Sequence, residues 1–333
     1  MKQHRRLTLL LTIVLALSFT LFGCNSDDSA TKNEAPAEAP AEAPATDAPT
    51  EAADAPHALV FMTDFGLKDS AVSAMKGVAF GVDPELKMFD VTHEIPAYNI
   101  WEASYRLYQV AAYWPEGTVF VSVVDPGVGT DRKSVVMKDK AGHYFVTPDN
   151  GTLGLVAEDL GIESIREIDE SKNRLQGSED SYTFHGRDVY AYTGARLASG
   201  TITYEEVGPE LPAEVVTMPY QKAELKDDVL SGNIPILDVQ YGNVWSNIGK
   251  DLVDELGIKI GDMVHVEFYQ GDKQVYAGDM KYCHTFGDVE EGQPLLYLNE
   301  LLYLSAAINM DSFSDVHEVY AGNDWTMKVS KVK

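Results

Sequence analysis

The side chains of this 333-residue chain best suited to handling water and protons sit in two glycine-punctuated turns. Asp125 opens the stretch Asp125-Pro126-Gly127-Val128-Gly129-Thr130-Asp131-Arg132, and His185 lies within Phe184-His185-Gly186-Arg187-Asp188. A carboxylate, a guanidinium and an imidazole can orient a water, favour its hydroxide form and accept its proton near neutral pH. Asp125 and Arg132 by themselves read equally well as an ion pair stapling a loop, and a lone histidine is more often structural. The histidine-bearing turn breaks that tie toward chemistry. His93, His143 and His284 read as structural, and Cys283 as a small buried hydrophobe.

Two further turns carry weaker signals. Gly127-Val128-Gly129 has the form of a phosphate cradle, yet no Gly-Lys-Ser/Thr follows it and Asp125 would repel a phosphate. Thr63-Asp64-Phe65-Gly66 matches the metal-binding tripeptide of protein kinases only superficially, because no glycine-rich loop, strand lysine or catalytic loop accompanies it. A carboxylate at a strand end suits two hydroxyl donors such as a ribose diol; helix capping is the plainer alternative for Asp64 and for Asp69. Two cysteines, Cys24 and Cys283, are too few for a disulfide framework or a four-cysteine zinc site, so no metal and no cofactor are expected.

Residues converge this way only if strands deliver them to one sheet edge. Ala58–Thr63, Lys87–Thr92 and Thr118–Val124 read as strands, with helices at the Ala71, Val72, Met75, Val78, Ala79 spacing and over Ile100–Tyr113, which Pro115 stops. Lys133–Lys138 and His143–Thr147 read as strands around an Ala141-Gly142 turn, and Thr152–Leu160 and Arg187–Ala198 as helices. The pattern predicts an α/β fold with an N-terminal open sheet, whose ligand site lies beyond the carboxyl ends of the strands, where Asp64 and Asp125 fall. From Val229 onward short alternating strands (Ile234–Val239, Met263–Tyr269, Gln274–Met280, Leu295–Leu298, Trp325–Val329) predict a smaller C-terminal β-barrel-like domain. The expected division is an α/β domain over 58–219 and a small β domain over 220–333.

The first residues read as an address. Lys2, Arg5 and Arg6 precede the uncharged run Leu7–Phe22, 16 residues and short for a membrane span. Residues 1–23 are expected to be a lipoprotein signal peptide, with Cys24 the lipidated residue and the mature protein exported and anchored to a bacterial membrane by lipid. Residues 24–57 form an acidic Ala/Pro/Glu linker with five prolines and eight acids against one lysine, unable to build a core. With 26 Lys+Arg against 52 Asp+Glu, a net charge of -26, the chain repels phosphate backbones, which excludes nucleic acid as a partner and leaves a small molecule.

The joint order of Thr63-Asp64-Phe65-Gly66 with Asp69, Asp125 through Arg132, Pro148-Asp149-Asn150-Gly151, Phe184 through Asp188, and Asp238-Val239-Gln240-Tyr241-Gly242-Asn243-Val244-Trp245-Ser246-Asn247-Ile248 resembles the S-adenosyl-L-methionine hydroxide adenosyltransferase family, hydrolytic relatives of the fluorinase and chlorinase. The resemblance spans about residues 58–310. It implies an enzyme that splits S-adenosyl-L-methionine with water into adenosine and L-methionine, a homotrimer whose sites lie between domains of adjacent subunits. The Asp, Arg and His of the hydrolytic branch match Asp125, Arg132 and His185, and the halogenating branch carries other residues at the Asp and His positions. The resemblance further assigns Asp64 to the ribose, Asn243 to the adenine edge, Asp238 to the methionine ammonium and Tyr98 and Phe286 to the flanking walls, with Asp69 and Tyr241 among the binding residues. Whether Asp125 or His185 takes the proton stays open. One segment departs from the family's Asn-Ser-x-Gly-Tyr, whose serine and sometimes arginine meet the methionine carboxylate: here it reads Asn299-Glu300-Leu301-Leu302-Tyr303. Either Glu300 points away or the methionine end is recognised differently. The alternatives to hydrolysis are a halogenase relative and a non-catalytic nucleoside-binding lipoprotein.

Overall fold

The computed structural model describes residues 57–332. The signal-like segment 1–23, Cys24 and the linker as far as residue 56 lie outside the described residues. Among the described residues no helix is long and apolar enough to cross a membrane.

The chain begins with β1 (Leu59–Thr63), α1 (Ala71–Val82), β2 (Met88–Thr92), α2 (Ile100–Ala111) and β3 (Val119–Val123). β1 pairs in parallel with β2 on one side and β3 on the other. Every residue of β1 and β3 is buried, as strands covered by helices on both faces require. The period-2 alternation sends Leu59 and Phe61 to one apolar cluster, with Met75 of α1, and Val60 and Met62 to the other, with Leu107 of α2. β4 (Ser134–Asp139) and β5 (Tyr144–Pro148) form the expected hairpin; β5 joins β3 in parallel, and β4 carries β6 (Ile162–Glu167) and then β7 (Glu210–Leu211) antiparallel. The sheet order is β2-β1-β3-β5-β4-β6-β7. α3 (Gly154–Leu160) packs Val156 beneath α2.

The second sheet holds β8 (Glu224–Lys226), β9 (Val229–Ile234), β10 (Ile236–Asp238), β11 (Asn243–Gly249), β12 (Met263–Gln270), β13 (Lys273–Tyr282), β14 (Pro294–Leu298), β15 (Tyr303–Ile308) and β16 (Gly322–Lys331), in the order β10-β11-β15-β14-β13-β12-β16-β9-β8. It curls until β9 meets β11: a methyl group on Gly232 would lie 2.6 Å from Asn247 Oδ1 and Ile248 Cγ1. One apolar cluster, including Leu230, Val244, Val264, Met280, Leu296, Ala306 and Met327, fills the enclosed space.

Three expectations are corrected. Ile234–Val239 is not one strand, because Pro235 lacks an N–H and separates β9 from β10, which end at opposite ends of the sheet order. β11 and β15 escaped the alternation criterion because nearly all their residues are buried on both faces. The helix expected over Arg187–Ala198 starts as a π turn, Gly186–Ala191, before the α-helix Tyr192–Ala198.

Candidate active site

Asp125 follows the carboxyl end of β3, and Arg132 precedes β4, so the glycine turn between them returns the arginine over the strand end. Their side chains are 5% and 11% exposed, and Arg132 grips the carboxylate from Nε (3.0 Å to Oδ1) and Nη2 (2.5 Å to Oδ2). Nη1 donates to Ser134 Oγ (3.0 Å), which in turn meets the Tyr190 hydroxyl (3.0 Å). The second Nη2 contact is His185 Nδ1 at 3.0 Å. Burial is the largest influence and opposes the guanidinium charge, but the Asp125 bonds together with the charges of Asp125 and Glu170 and the Tyr190 phenol outweigh it and raise the Arg132 pKa. A guanidinium has no acceptor, so Nδ1 must accept, and the neutral imidazole carries its proton on Nε2. Nε2 is buried and has no partner among the described residues. Burial, reinforced by Arg132 and Arg174 against Glu170 and Asp125, holds the His185 pKa below the ordinary histidine value.

The local sequence explains this placement. A Cβ on Gly186 would sit 3.1 Å from the Phe65 ring, so glycine lets the turn carrying His185 close against the strand end. The π turn after His185 brings Tyr190, five residues on, beneath the Arg132 guanidinium, 5.7 Å from ring centroid to Cζ. Pro148-Asp149-Asn150-Gly151 positions rather than reacts: Asn150 Nδ2 donates to the Val124 carbonyl (2.9 Å) just before Asp125, and the Asp149 N–H bonds Lys133 O (2.9 Å) just after Arg132. The sequence reading has Asn150 only as a member of its motif and does not single out Ser134 or Tyr190; Ser134 was findable, two residues from Arg132 at the start of a strand.

Asp64, Tyr98, Asp125 and His185 line one cleft of about 230 Å³ with Phe65 and Phe184. Asp64 Oδ2 accepts the Tyr98 N–H at 2.8 Å and so holds Tyr98 at φ 68°, with its ring 73% exposed. Asp69 lines neither this cleft nor the next; on an exposed loop, its Oδ1 accepts the Ala71 N–H (2.9 Å) at the start of α1, the capping alternative.

Asp238, Tyr241, Asn243 and Phe286 line a second cleft of about 820 Å³ on the β-rich half, together with Trp245, His284, Tyr297 and Glu300. Asp238 and Asn243 face each other across the β10–β11 hairpin, and Asn243 Nδ2 donates to Asp238 Oδ2 (2.9 Å). Gly242 turns this hairpin at φ 66°, where a Cβ would collide with Ser312 Oγ. Trp245 Nε1 donates to the Tyr297 hydroxyl (3.0 Å), and the Phe286 and Tyr297 rings lie 4.9 Å apart. Glu300 is turned onto Gln109 of α2, whose Nε2 donates to Oε1 at 2.8 Å. His93 is buried, with Nδ1 2.8 Å from Thr63 Oγ1 and Nε2 3.1 Å from Asp90 Oδ1, and His143 is buried with Nδ1 2.7 Å from Asp139 Oδ2. His284, read as structural, lines the second cleft. The two clefts share no lining residue. Among the described residues no group of three or more His, Cys, Asp or Glu is arranged to hold a metal ion.

Comparison with known proteins identifies the family and the fold. The SAM hydroxide adenosyltransferase N-terminal domain matches residues 59–208, and the C-terminal domain of the same family matches residues 232–326. The chain is 38% identical over 211 residues to the (R)-S-adenosyl-L-methionine hydrolase of Methanocaldococcus jannaschii, covering 61% of this chain and 73% of that one. It is 26% identical over 289 residues to the fluorinase of Actinopolyspora mzabensis, covering 79% and 94%. Among solved structures, an uncharacterized conserved protein from Thermotoga maritima aligns with a TM-score of 0.76 and 36% identity, over 82% of this chain and 100% of its own.

Proposed function

We propose that this chain, which belongs to the SAM hydroxide adenosyltransferase family, hydrolyses S-adenosyl-L-methionine to adenosine and L-methionine. The observation that carries the reading is the Asp125–Arg132–His185 cluster at the strand ends, with an unpartnered His185 Nε2 on a residue that lines the cleft. A water there accepts from Nε2–H and attacks C5′ in line with the sulfur. The O–C5′ bond forms, the C5′–S pair returns to sulfur, and methionine leaves as a neutral thioether. Charge is annihilated in this step, so a site that excludes bulk water favours it. The water's proton passes to Asp125: a second proton on His185 would enter at Nδ1, 3.0 Å from the Arg132 cation. Arg132 favours the hydroxide electrostatically.

In this reading Asp64 holds the ribose hydroxyls and Tyr98 a wall, while Asp238, Tyr241, Asn243 and Phe286 supply the ammonium, adenine and opposite-wall contacts. Because these groups line two clefts with no common residue, the reading includes a homotrimer in which the first cleft of one subunit closes on the second cleft of its neighbour. The leader and Cys24 support export and lipid anchoring on sequence alone, with the acidic linker as a spacer.

Reaction of the purified protein with S-adenosyl-L-methionine in ¹⁸O-labelled water tests the chemistry. Adenosine labelled at the 5′ oxygen is expected. Unlabelled adenosine, a 5′-halo product in halide buffer, or binding without turnover would each overturn hydrolysis, the second in favour of the fluorinase-like alternative.

A further inference from the structure

The second cleft has an electrostatic character that S-adenosyl-L-methionine does not match. Its charged walls are Asp238, Glu300, Asp311 and Asp315, and among the described residues neither cleft is lined by a lysine or an arginine. Arg132, behind the first cleft, spends its donors on Asp125, Ser134 and His185. Asp238 and Glu300 are each held by a neutral amide, Asn243 Nδ2 at 2.9 Å and Gln109 Nε2 at 2.8 Å, which brings no opposing charge. Both act on one wall group: after burial, the charges of Asp238 and Glu300 push up the Tyr297 phenol that stands in the same cleft. An ammonium is welcome among these four acids, while a substrate carboxylate would add a fifth anion to a cleft that no lysine or arginine lines.

We propose that this site is built for a sulfonium nucleoside whose side chain ends in an amine and carries no carboxylate, the decarboxylated analogue of S-adenosyl-L-methionine being the simplest member. The inference rests on the hydrolytic reading for its chemistry, which is otherwise unchanged. Water's O–H breaks, O–C5′ forms, C5′–S breaks with its electron pair on sulfur, and 3-(methylthio)propylamine leaves in place of methionine. Such a substrate brings two positive charges and no negative one, whereas S-adenosyl-L-methionine brings two positive and one negative.

The test compares kcat/KM and calorimetric Kd for the two compounds with the wild-type protein and with Glu300→Gln, which keeps the side-chain shape and removes its charge. The wild type is expected to favour the decarboxylated compound by about tenfold or more, and Glu300→Gln to shrink that preference by about tenfold. A wild-type preference for S-adenosyl-L-methionine, or a preference that Glu300→Gln leaves unchanged, would overturn the inference while leaving hydrolysis standing. If neither compound turns over, hydrolysis fails but calorimetry still decides: tighter binding of the decarboxylated compound upholds the ligand class, and equal or weaker binding removes it.

Discussion

At the scale of single residues, the arrangement turns on what Arg132 cannot do. It has no lone pair to offer, so its 3.0 Å contact makes His185 Nδ1 an acceptor and Nε2 a donor, and the imidazole acts uncharged. The depressed His185 pKa gives the sign of the pH response. Protonation at Nδ1 removes the acceptor that Arg132 uses and sets a second cation beside it, so kcat should fall as pH drops through a value below about 6.5, the ordinary histidine figure. An NMR titration of the His185 ring should give the same midpoint; a midpoint above the ordinary value would remove the uncharged-donor role. Arg132→Lys keeps a positive charge but loses the fork that reaches Asp125 and His185 together. It should lower kcat by about a hundredfold with little change in KM, read in steady-state kinetics.

At the scale of elements, the β4–β5 hairpin is tied at both ends, beside the site by Asn150 and at its far end by His143, and each tie can be tested separately. Asn150 links the loop after β5 to the Val124 carbonyl, one residue from Asp125. Asn150→Ala leaves that carbonyl unpaired and should cost about 1–2 kcal/mol in urea unfolding, and Asn150→Asp, which keeps an oxygen for Thr152 but sets a second one against the carbonyl, should lower both stability and kcat further. The second tie lies at the far end of the β4–β5 hairpin, where His143 donates from Nδ1 to Asp139 Oδ2 (2.7 Å) and from Nε2 to Trp114 O (2.9 Å). Its bond to Asp139 outweighs burial and raises the His143 pKa. The folded chain therefore keeps a proton that the unfolded chain sheds above about pH 6.5, so this stabilisation is complete below that pH and lost as pH rises through the elevated folded value. Asp139→Asn should flatten this dependence and destabilise by about 3 kcal/mol at pH 6, because it breaks a pair that is almost wholly buried. Unfolding midpoints that fall with pH equally in both proteins would locate the dependence elsewhere.

At the scale of the whole molecule, the expected binding residues other than Asp69 line two clefts that have no residue in common. Asp125 belongs to one cleft and Asp238 to the other, so co-expressing Asp125→Asn with Asp238→Asn discriminates the assemblies. If each site joins the first cleft of one subunit to the second cleft of another, about a quarter of sites in random mixed oligomers combine two intact halves, and a corresponding activity should return. No recovery, or a monomer by light scattering, would place both half-sites' function within a single chain. The exposed Tyr98, Tyr241 and Met310, 73%, 68% and 82% exposed, are apolar surface beside the clefts that such an assembly would cover.

Much of this was legible in the amino-acid order because it depends on local rules. Continuous apolar runs identify β1 and β3, and the open-sheet rule places Asp64 and Asp125 at strand ends. The motif order was enough to name the family and to flag Glu300 as its departure. Tertiary structure decided what depends on contacts between distant segments. The Arg132–His185 contact, and with it the histidine tautomer, spans 53 residues of sequence. The turning of Glu300 onto Gln109 spans 191 residues, so spacing along the chain says nothing of it. β11 was invisible to periodicity because burial on both faces erases the alternation by which a strand is recognised. That Asp125 and Asp238 line clefts without a common residue is likewise a property of how distant segments pack.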